Sequence, residues 1–168
     1  ALGCRSILGD ARSPEMQKKL NLKVKFRESF RPFAPAILLE DLNEWFDLES
    51  ESPYMLLVGK VKEDKLVEQT SDQKLAKGLE KLNIVRSKIP AVTHVDNSAR
   101  IQTVTAENGI YYDLIKSFKK KTGCPVIVNT SFNVRGEPPV NTPIDAYKCF
   151  MATDLDILVL GNCVMEKQ

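Results

Sequence analysis

The sequence predicts an α/β domain, a twisted mixed sheet with flanking helices, and three observations indicate it. Short apolar runs rich in β-branched residues, such as CPVIVN at residues 124–129, are typical of strands buried on both faces. Stretches with helical start and stop signals lie between these runs, among them TPID at residues 142–145. The length of 168 residues, with 43% hydrophobic and 27% charged residues, fits one globular domain. Strands that alternate with helices in such a domain indicate an α/β fold.

The start of the chain predicts a short helix followed by a cationic strand. Ser13-Pro14-Glu15 combines a hydroxyl N-cap with a proline at the first helical position, which predicts a helix that ends near Leu20. Residues 22–31, LKVKFRESFR, alternate between an apolar and a cationic face, which predicts a strand. The prolines that follow it end the strand. Its cationic face would carry Lys23, Lys25, Arg27, Ser29 and Arg31.

The middle of the chain predicts strands on either side of a polar segment. AILLE at residues 36–40 and YMLLVGKV at residues 54–61 predict buried strands, and LNEWF at residues 42–46 predicts a helical turn or an exposed loop. Residues 62–90 are rich in Lys and Glu and predict a solvated insertion with one amphipathic helix. Leu75, Leu79 and Leu82 mark that helix. AVTHVD and ARIQTVT, within residues 91–105, predict two strands joined by an Asp-Asn-Ser turn.

The last third predicts two helices around a buried strand. A helix that stops near Gly123 has three lysines in its last turn, where cations suit the helix dipole. Its apolar face is marked by Ile110, Leu114, Ile115 and Phe118. After the strand at residues 124–129, a second helix starts at Thr142 and runs to about Met151. LDILVLGNCVM at residues 155–165 predicts a closing strand and its continuation.

Composition excludes several classes of protein. The net charge of +2 demands neither nucleic acid nor a membrane surface, so an anion site would have to be local. No apolar run approaches the roughly 20 residues of a membrane span. The four cysteines form no C-x-x-C pair, and we expect reduced thiols in a cytoplasmic protein. With His94 as the one histidine, we expect no protein metal site.

The chain begins ALGCRSILGD, without an initiator Met or a secretory signal. A motif-like stretch at the first residue predicts a domain taken from a longer protein. A processed terminus is the alternative.

Four segments carry candidate functional residues, each with an ordinary alternative. The cationic face at residues 23–31 could bind phosphate or carboxylate, or could be a solvated surface with acidic partners. VNTSFNVRGEPPVN at residues 128–141 follows a buried strand, where ligands of α/β sheets lie, but Asn, Ser and Gly also make turns. These two segments offer Lys25, Arg27, Arg31, Asn129, Thr130, Ser131 and Asn133, and Arg135 and Gly136 follow in the second one.

The other two segments are weaker candidates. In THVDNSARIQTV, His94, Asp96 and Arg100 flank a turn, and a lone histidine beside apolar residues is more often structural than catalytic. In CRSILGDARS, Arg5, Ser6 and Arg12 could bind phosphate, but Asp10 could simply pair with the arginines. The sequence has neither a G-x-x-x-x-G-K-[ST] loop nor G-x-G-x-x-G, so side chains and irregular backbone would have to hold any nucleotide.

Five strings, in order and spanning nearly the whole chain, resemble the C-terminal domain of the NodU/CmcH-type O-carbamoyltransferases. They are ALGCRSILGDAR, KVKFRESFRPFAP, HVDNSARIQTV, TGCPVIVNTSFNVRGEPPVNTPIDAYKCF and DILVLGN. The resemblance weakens only in residues 62–90. It implies a YrdC-like fold, a twisted α/β sheet with a charged concave surface.

The resemblance also implies an activity. It predicts binding of ATP and carbamoyl phosphate, formation of carbamoyl adenylate and release of pyrophosphate. A separate N-terminal transferase domain, absent from this chain, would pass the carbamoyl group to a hydroxyl acceptor, so this chain alone would not complete the transfer. Mg²⁺ is expected with ATP, held by phosphates and water rather than by a protein cage.

Site residues follow from a K-x-R…S-x-N signature of YrdC-like proteins. Lys25-Phe26-Arg27 and Ser131-Phe132-Asn133 match it. The resemblance implies that Lys25 and Arg27 neutralise charge at the α-phosphorus and on departing pyrophosphate. Ser131 and Asn133 would hold phosphate and carbamate oxygens. The remaining candidate binding residues are Arg5, Ser6, Arg31, His94, Arg100, Asn129 and Thr130.

Two other functions remain open at this point. YrdC-like folds are associated with tRNA modification, so the chain could be an RNA-binding module, although it lacks a basic stripe interleaved with aromatic residues. It could also be a regulatory domain that keeps the fold without turnover.

Overall fold

The computed structural model describes residues 2–167, apart from the side chains of residues 74, 79 and 83. Its strands are β1 (Ser6–Asp10), β2 (Ala34–Leu38), β3 (Phe46–Asp47), β4 (Leu57–Val61), β5 (Ser98–Val104), β6 (Val126–Ser131), β7 (Ile157–Leu160) and β8 (Cys163–Glu166). Six of them form one sheet in the order β1-β6-β2-β5-β4-β3, and β7 and β8 form a hairpin. With both parallel and antiparallel pairs in the sheet, the predicted mixed α/β class is confirmed.

Five α-helices are present in residues 2–167. They are α1 (Met16–Lys19), α2 (Leu42–Trp45), α3 (Ser71–Leu75), α4 (Ile110–Thr122) and α5 (Pro143–Met151). None of the helices described there is both long and apolar enough to cross a bilayer.

The register of the sheet brings four loops to one edge. Strand β6 runs antiparallel to both β1 and β2, and β2 runs parallel to β5. Ser131 therefore lies opposite Ser6, and Asn129 lies opposite Ala34. The carboxyl end of β6 thus lies beside the amino ends of β1, β2 and β5. The loops that carry the four candidate segments meet at this edge.

Both faces of the central strands are covered. On one face, Val126, Val128 and Ile37 belong to a cluster that includes Leu20 and Phe150. On the other face, Ala36, Leu38, Val104 and Ile127 form a cluster with Tyr111 and Ile115 of α4. The part of a strand that is covered on both sides is apolar, here Val126, Ile127 and Val128, and this is the physical reason that CPVIVN predicted β6 correctly.

Helix α4 has the predicted length, and two of its four predicted core residues, Ile115 and Phe118, do pack against the core. Tyr111 and Ile115 are buried, whereas Ile110 and Leu114 are exposed, so the prediction that those two face the core was wrong. A Cβ at Gly3 would lie 2.5 Å from two ring atoms of Tyr111. The missing side chain at Gly3 therefore makes room for the tyrosine ring, and this long-range fit cannot be read from helical spacing.

Gly123 ends α4 in the left-handed conformation, with φ 74°, and its N–H donates to the carbonyl of Lys119 over 2.7 Å. No atom lies within 4 Å of a Cβ built there, so a side chain would meet backbone strain alone. We expect Gly123→Ala to lower the free energy of unfolding by about 1 kcal/mol. Gly123→Asn should lose less, because asparagine tolerates this conformation. Urea denaturation checks both, and equal stability of the alanine variant and the parent would contradict the expectation.

Helix α5 begins as predicted. The Oγ1 of Thr142 accepts from the N–H of Asp145 over 3.2 Å, and the Oδ2 of Asp145 accepts from the N–H of Thr142 over 2.9 Å. This reciprocal cap, with Pro143 at the first helical position, fixes the start of the helix. The pattern after α5 forms the β7-β8 hairpin rather than one strand with a continuation.

Three other strand or helix predictions need correction. Strand β4 is shorter than predicted, and Leu57 and Val58 are exposed because only the two-residue β3 lies beyond it. Residues 91–96 form no strand, since the chain makes a 3₁₀ turn at Pro90–Val92 and a further turn before β5. Residues 62–90 hold α3 and short 3₁₀ turns, and Leu75 is exposed. The side chain of Leu79 is outside the described residues, and that this segment is an insertion stays a prediction.

Candidate functional site

Residues 20–31 form a tightly turned segment rather than the predicted strand. Helix α1 continues into a π-helical turn at Leu20–Val24, where the N–H of Lys25 donates to the carbonyl of Leu20 over 2.8 Å. Leu20 and Val24, one helical turn apart, are buried. Val24 would also be buried in a strand, but the other apolar residues of that face are exposed; they are Leu22, Phe26 and Phe30. The strand prediction was wrong because helical spacing, rather than alternation, determines what this segment buries.

Phe26 turns the chain between the two signature cations. Its φ is 48°, a left-handed conformation that costs an L-residue about 1–2 kcal/mol. Lys25 and Arg27, on either side of it, both line the same cavity. Strain of this kind persists where the surroundings fix it, commonly at functional sites.

Lys25 joins this segment to the loop after β6. Its Nζ donates to the carbonyl oxygens of Ser131 and Asn133, the latter over 2.9 Å, and to Oδ1 of Asn133 over 2.8 Å. Oγ of Ser131 lies 3.4 Å from Nζ, so four acceptors surround the three N–H groups of the ammonium. The K-x-R and S-x-N segments, 106 residues apart at Lys25 and Ser131, therefore meet in the fold.

The Lys25 ammonium is buried without an acidic partner. Lys25 is 4% exposed. Among residues 2–167, no ion pair includes Lys25 or Arg27. Burial first, and then the positive charge of Arg27, lower the pKa of Lys25 from its usual 10.5 to about 8. The alternative that these two cations are simply neutralised by carboxylates is therefore not what the structure shows.

Arg27 is held by a buried amide and an aromatic ring. Its Nε donates to Oδ1 of Asn21 over 2.7 Å, and its Cζ lies 4.9 Å from the ring centroid of Phe33. Burial, and then the nearby charge of Arg31, lower the pKa of Arg27, yet the group remains a cation. Within the described chain, the terminal Nη groups of Arg27 make no hydrogen bond to protein, so they can serve a ligand.

A cavity of about 240 Å³ opens between these two segments. We call it the cationic cavity; it is lined by Lys25, Arg27, Arg31, Thr130, Ser131, Asn133, Val134, Arg135 and Gly136. The carboxylate beside it is Glu28, whose Oε2 is 3.2 Å from Nε of Arg31 and whose Oε1 is 3.9 Å from Nη1 of Arg135. Four cations against this carboxylate leave the cavity positive, which suits an anionic ligand.

The loop after β6 presents its polar groups in a fixed arrangement. Oδ1 of Asn133 accepts from Oγ of Ser131 over 2.7 Å as well as from Lys25, and Nδ2 of Asn133 donates to the carbonyl of Glu137 over 2.7 Å. Thr130 lines the cavity. Asn129 is buried one strand position earlier, where its Nδ2 donates to Oε1 of Gln102 over 2.5 Å.

Arg5 and Ser6 lie next to this loop but outside the cavity lining. Nη1 of Arg5 donates to the carbonyl of Val140 over 3.4 Å, and the Arg5 carbonyl accepts from the N–H of Phe132 over 3.0 Å. Ser6 pairs with Ser131 in the sheet. Arg12 forms an ion pair with Asp10 over 2.7 Å, which supports the structural alternative for that arginine.

His94 and Arg100 lie at the same edge, beyond β2. Nδ1 of His94 is 3.2 Å from Oγ of Ser98, and burial lowers the pKa of the imidazole. Nη1 of Arg100 donates to the carbonyl of Met55 over 3.1 Å. Neither residue lines the cationic cavity.

Sequence reasoning placed Arg135 and Gly136 in the candidate segment at residues 128–141 without choosing them as binding residues, and both line the cavity. It missed Asn21, which holds Arg27, and Gln102, which holds Asn129. Asn21 and Gln102 act through contacts that no local pattern reveals.

The lining of the cationic cavity suits anions. Among the described residues, no group of three or more His, Cys, Asp or Glu side chains is placed to hold a metal ion. Guanidinium forks, hydroxyls and amides suit the oxygens of phosphate or carboxylate.

Sequence comparison gives a family match over almost the whole chain. The family described as Carbamoyltransferase C-terminus matches residues 1–167. Uncharacterized protein sll1178 of Synechocystis sp. is 58% identical over 168 residues, covering 99% of this chain and 27% of that protein.

Two further relatives carry functional names. Nodulation protein NolNO of Sinorhizobium fredii is 42% identical, covering 100% of this chain and 22% of its own length. The 3'-hydroxymethylcephem-O-carbamoyltransferase of Streptomyces clavuligerus is 34% identical, covering 96% of this chain and 27% of its own length. The chain thus spans about a quarter of the length of these relatives.

Proposed function

Because the chain belongs to the carbamoyltransferase C-terminal family, we propose that it is the carbamoyl-adenylate-forming domain of an O-carbamoyltransferase. Its substrates would be ATP and carbamoyl phosphate. Its activated product would supply the carbamoyl group to a hydroxyl acceptor bound by another domain. The cationic cavity is the observation that carries this proposal.

The chemistry balances in two steps. Water first converts carbamoyl phosphate to carbamate and inorganic phosphate. A carbamate oxygen then attacks the α-phosphorus of ATP, the bond to the β-phosphate oxygen breaks, and pyrophosphate leaves. The products are carbamoyl adenylate, phosphate and pyrophosphate, so negative charge accumulates on the departing group. Positive charge placed beforehand at that group lowers the barrier.

The cavity residues would divide this work. The Nη groups of Arg27, with the guanidinium groups of Arg31 and Arg135, would receive phosphate oxygens. Lys25 has its donors occupied by the loop, so it would act through its charge and by holding that loop in place. Ser131 and Asn133 would orient phosphate and carbamate oxygens.

The size of the cavity supports a phosphate-binding role. Pockets that enclose whole ligands measure about 300–1,000 Å³, and the cationic cavity, at about 240 Å³, is smaller. It would take the phosphates, while the nucleoside would extend along the sheet edge. Arg5, Ser6, His94 and Arg100 lie along that edge and would contact the rest of ATP or carbamoyl phosphate. Thr130 lines the cavity itself, and Asn129, buried and held by Gln102, would support the end of β6 from below.

Mg²⁺ does not fit directly among the cavity side chains, because cations line it and Glu28 is paired with arginines. Any Mg²⁺ would arrive with ATP, held by phosphates and water. The acceptor and the transfer step belong, in this proposal, to an N-terminal transferase domain. We expect this chain alone to bind ATP but not to carbamoylate an acceptor.

Calorimetry with ATP and with carbamoyl phosphate tests the binding half of the proposal. We expect saturable heat with ATP, and absence of heat with folded protein would contradict it. Release of pyrophosphate, assayed with and without carbamoyl phosphate, tests the chemistry in a full-length family member. Release should require carbamoyl phosphate and should be matched by phosphate. RNA binding that exceeds ATP binding and falls steeply with salt would instead favour the RNA-binding alternative.

A further inference from the structure

Asn21 is a fully buried polar residue that contacts Arg27, one of the residues lining the cationic cavity. Its exposed fraction is 0%, and it lies in the π-helical turn just before Lys25. A buried amide must find hydrogen-bond partners, and the partners it finds determine what it stabilises. The side-chain amide of Asn21 makes its hydrogen bonds within residues 27–31, the segment that carries Arg27 and Arg31.

One side chain spans the whole loop. Oδ1 of Asn21 accepts from Nε of Arg27 over 2.7 Å. Nδ2 donates to the carbonyls of Ser29 and Arg31 over 3.0 and 2.8 Å. The Asn21 backbone carbonyl also accepts from the N–H of Arg27 over 2.9 Å. Both the side chain and the backbone of Arg27 are therefore fixed by this residue.

We propose that Asn21 is the positioning residue of the cationic cavity, orienting the guanidinium of Arg27 and closing the turn that presents Arg31. This inference rests on the proposed function, since it assumes that the cavity binds an anion. With Nε held, the Nη groups of Arg27 remain turned to the ligand. A guanidinium oriented in advance loses less conformational freedom when an anion binds.

The chemistry of the amide makes asparagine specific here. Aspartate would keep the acceptor for Arg27 but would lose both donors to the carbonyls of Ser29 and Arg31. Its negative charge would also compete with the ligand for the guanidinium. Alanine would leave two carbonyls and Nε of Arg27 without this partner.

The test measures the ATP dissociation constant of the full chain by calorimetry. Asn21→Ala and Asn21→Asp should each weaken ATP binding by about tenfold or more, the equivalent of one hydrogen bond to a charged group. In an Arg27→Ala background the further loss of Asn21 should cost less than it does in the parent, because only the closure of the turn that presents Arg31 remains to be lost. The double variant should therefore lose less affinity than the sum of the two single losses. Independent, additive losses in the double variant would overturn the inference.

A control and a spectroscopic readout separate positioning from general destabilisation. Ser87 is also buried, and its Oγ accepts from the N–H of Ile89 over 3.0 Å, away from the cavity. Ser87→Ala should lower stability without changing ATP binding. In the parent chain, the Arg27 Nε–H resonance should be protected from exchange, and Asn21→Asp, if stable enough to fold, should shift it.

The outcomes distinguish this inference from the proposed function. If the parent chain binds no ATP, the proposed function fails and this inference falls with it. If the parent binds ATP and Asn21→Ala binds it equally well, the inference alone is overturned. An unprotected Arg27 Nε–H in the parent, which needs no variant to fold, would also overturn it.

Discussion

Replacing Arg27 with alanine is expected to weaken ATP binding by about 1.5–3 kcal/mol, the range for a hydrogen bond to a charged group. Lys25→Ala should weaken it by a similar amount for another reason, because it removes a nearby positive charge and the anchor of the loop that carries Ser131 and Asn133. The two variants should differ in stability. Lys25→Ala removes the donor shared by the carbonyls of Ser131 and Asn133, so it should also destabilise the loop after β6. Arg27→Ala leaves those contacts in place. Calorimetry gives the affinities, and urea denaturation gives the free energies of unfolding.

Lys120→Ala is the matched control, because it removes one positive charge from an exposed position in the last turn of α4. That turn precedes β6 and so lies at the opposite edge of the sheet. The control should bind ATP like the parent. Unchanged affinity in both cavity variants, or an equal loss in the control, would place the nucleotide elsewhere.

ATP affinity should fall as the pH rises above about 8, because burial and Arg27 lower the pKa of Lys25 to about 8. Above that pH the amine of Lys25 is neutral in the free protein, so binding of an anion is accompanied by uptake of a proton by Lys25. The dissociation constant should rise by up to about tenfold per pH unit until the pKa of the bound state is reached. Calorimetry in buffers of different ionisation enthalpy should detect the proton uptake directly.

Stability should change with pH in the opposite direction. The folded pKa of Lys25, about 8, lies below the unfolded value of 10.5, so the unfolded chain binds more protons between them. The contribution of Lys25 to folding is therefore greatest above pH 10.5 and is lost as the pH falls through about 8. Lys25→Met should remove both dependences. A pH dependence of ATP affinity that persists in Lys25→Met would assign it to another group.

Sequence patterns predicted the parts of the fold that depend on local or strongly periodic signals. The first half of β6 is apolar because it is covered on both faces, and α5 begins at a reciprocal cap between Thr142 and Asp145. The length of α4 followed from Gly123 and the lysines before it. In each case a few neighbouring residues determine the structure, so the sequence was sufficient.

The failures have a common physical cause, which is competition from long-range packing. Residues 22–31 alternate like a strand, but burying Leu20 and Val24 favours a helical turn. In α4, Tyr111 is buried in place of Ile110 because Gly3, from the far end of the chain, admits its ring. Neither outcome can be derived from residues close in sequence.

Lys25 contacts the Ser131–Asn133 loop as predicted. The strand on which the prediction placed Lys25 does not form. The contact came from resemblance to a family signature, whereas periodicity gave only a cationic face. Lys23 shows the difference. Alternation placed Lys23 on the same cationic face as Lys25. Its Nζ instead lies 3.7 Å from Oδ2 of Asp154, and Lys23 does not line the cavity.

The central claim is that ATP phosphates bind between the segment at residues 25–31 and the loop at residues 130–136. An NMR titration of the labelled chain with ATP tests it most directly, since each backbone amide reports its own surroundings. We expect saturable shifts concentrated in those two ranges, with smaller changes along the sheet edge. Shifts concentrated instead in the groove lined by Lys19, Asp154, Asp156 and Glu166, or no saturable shifts, would contradict the account.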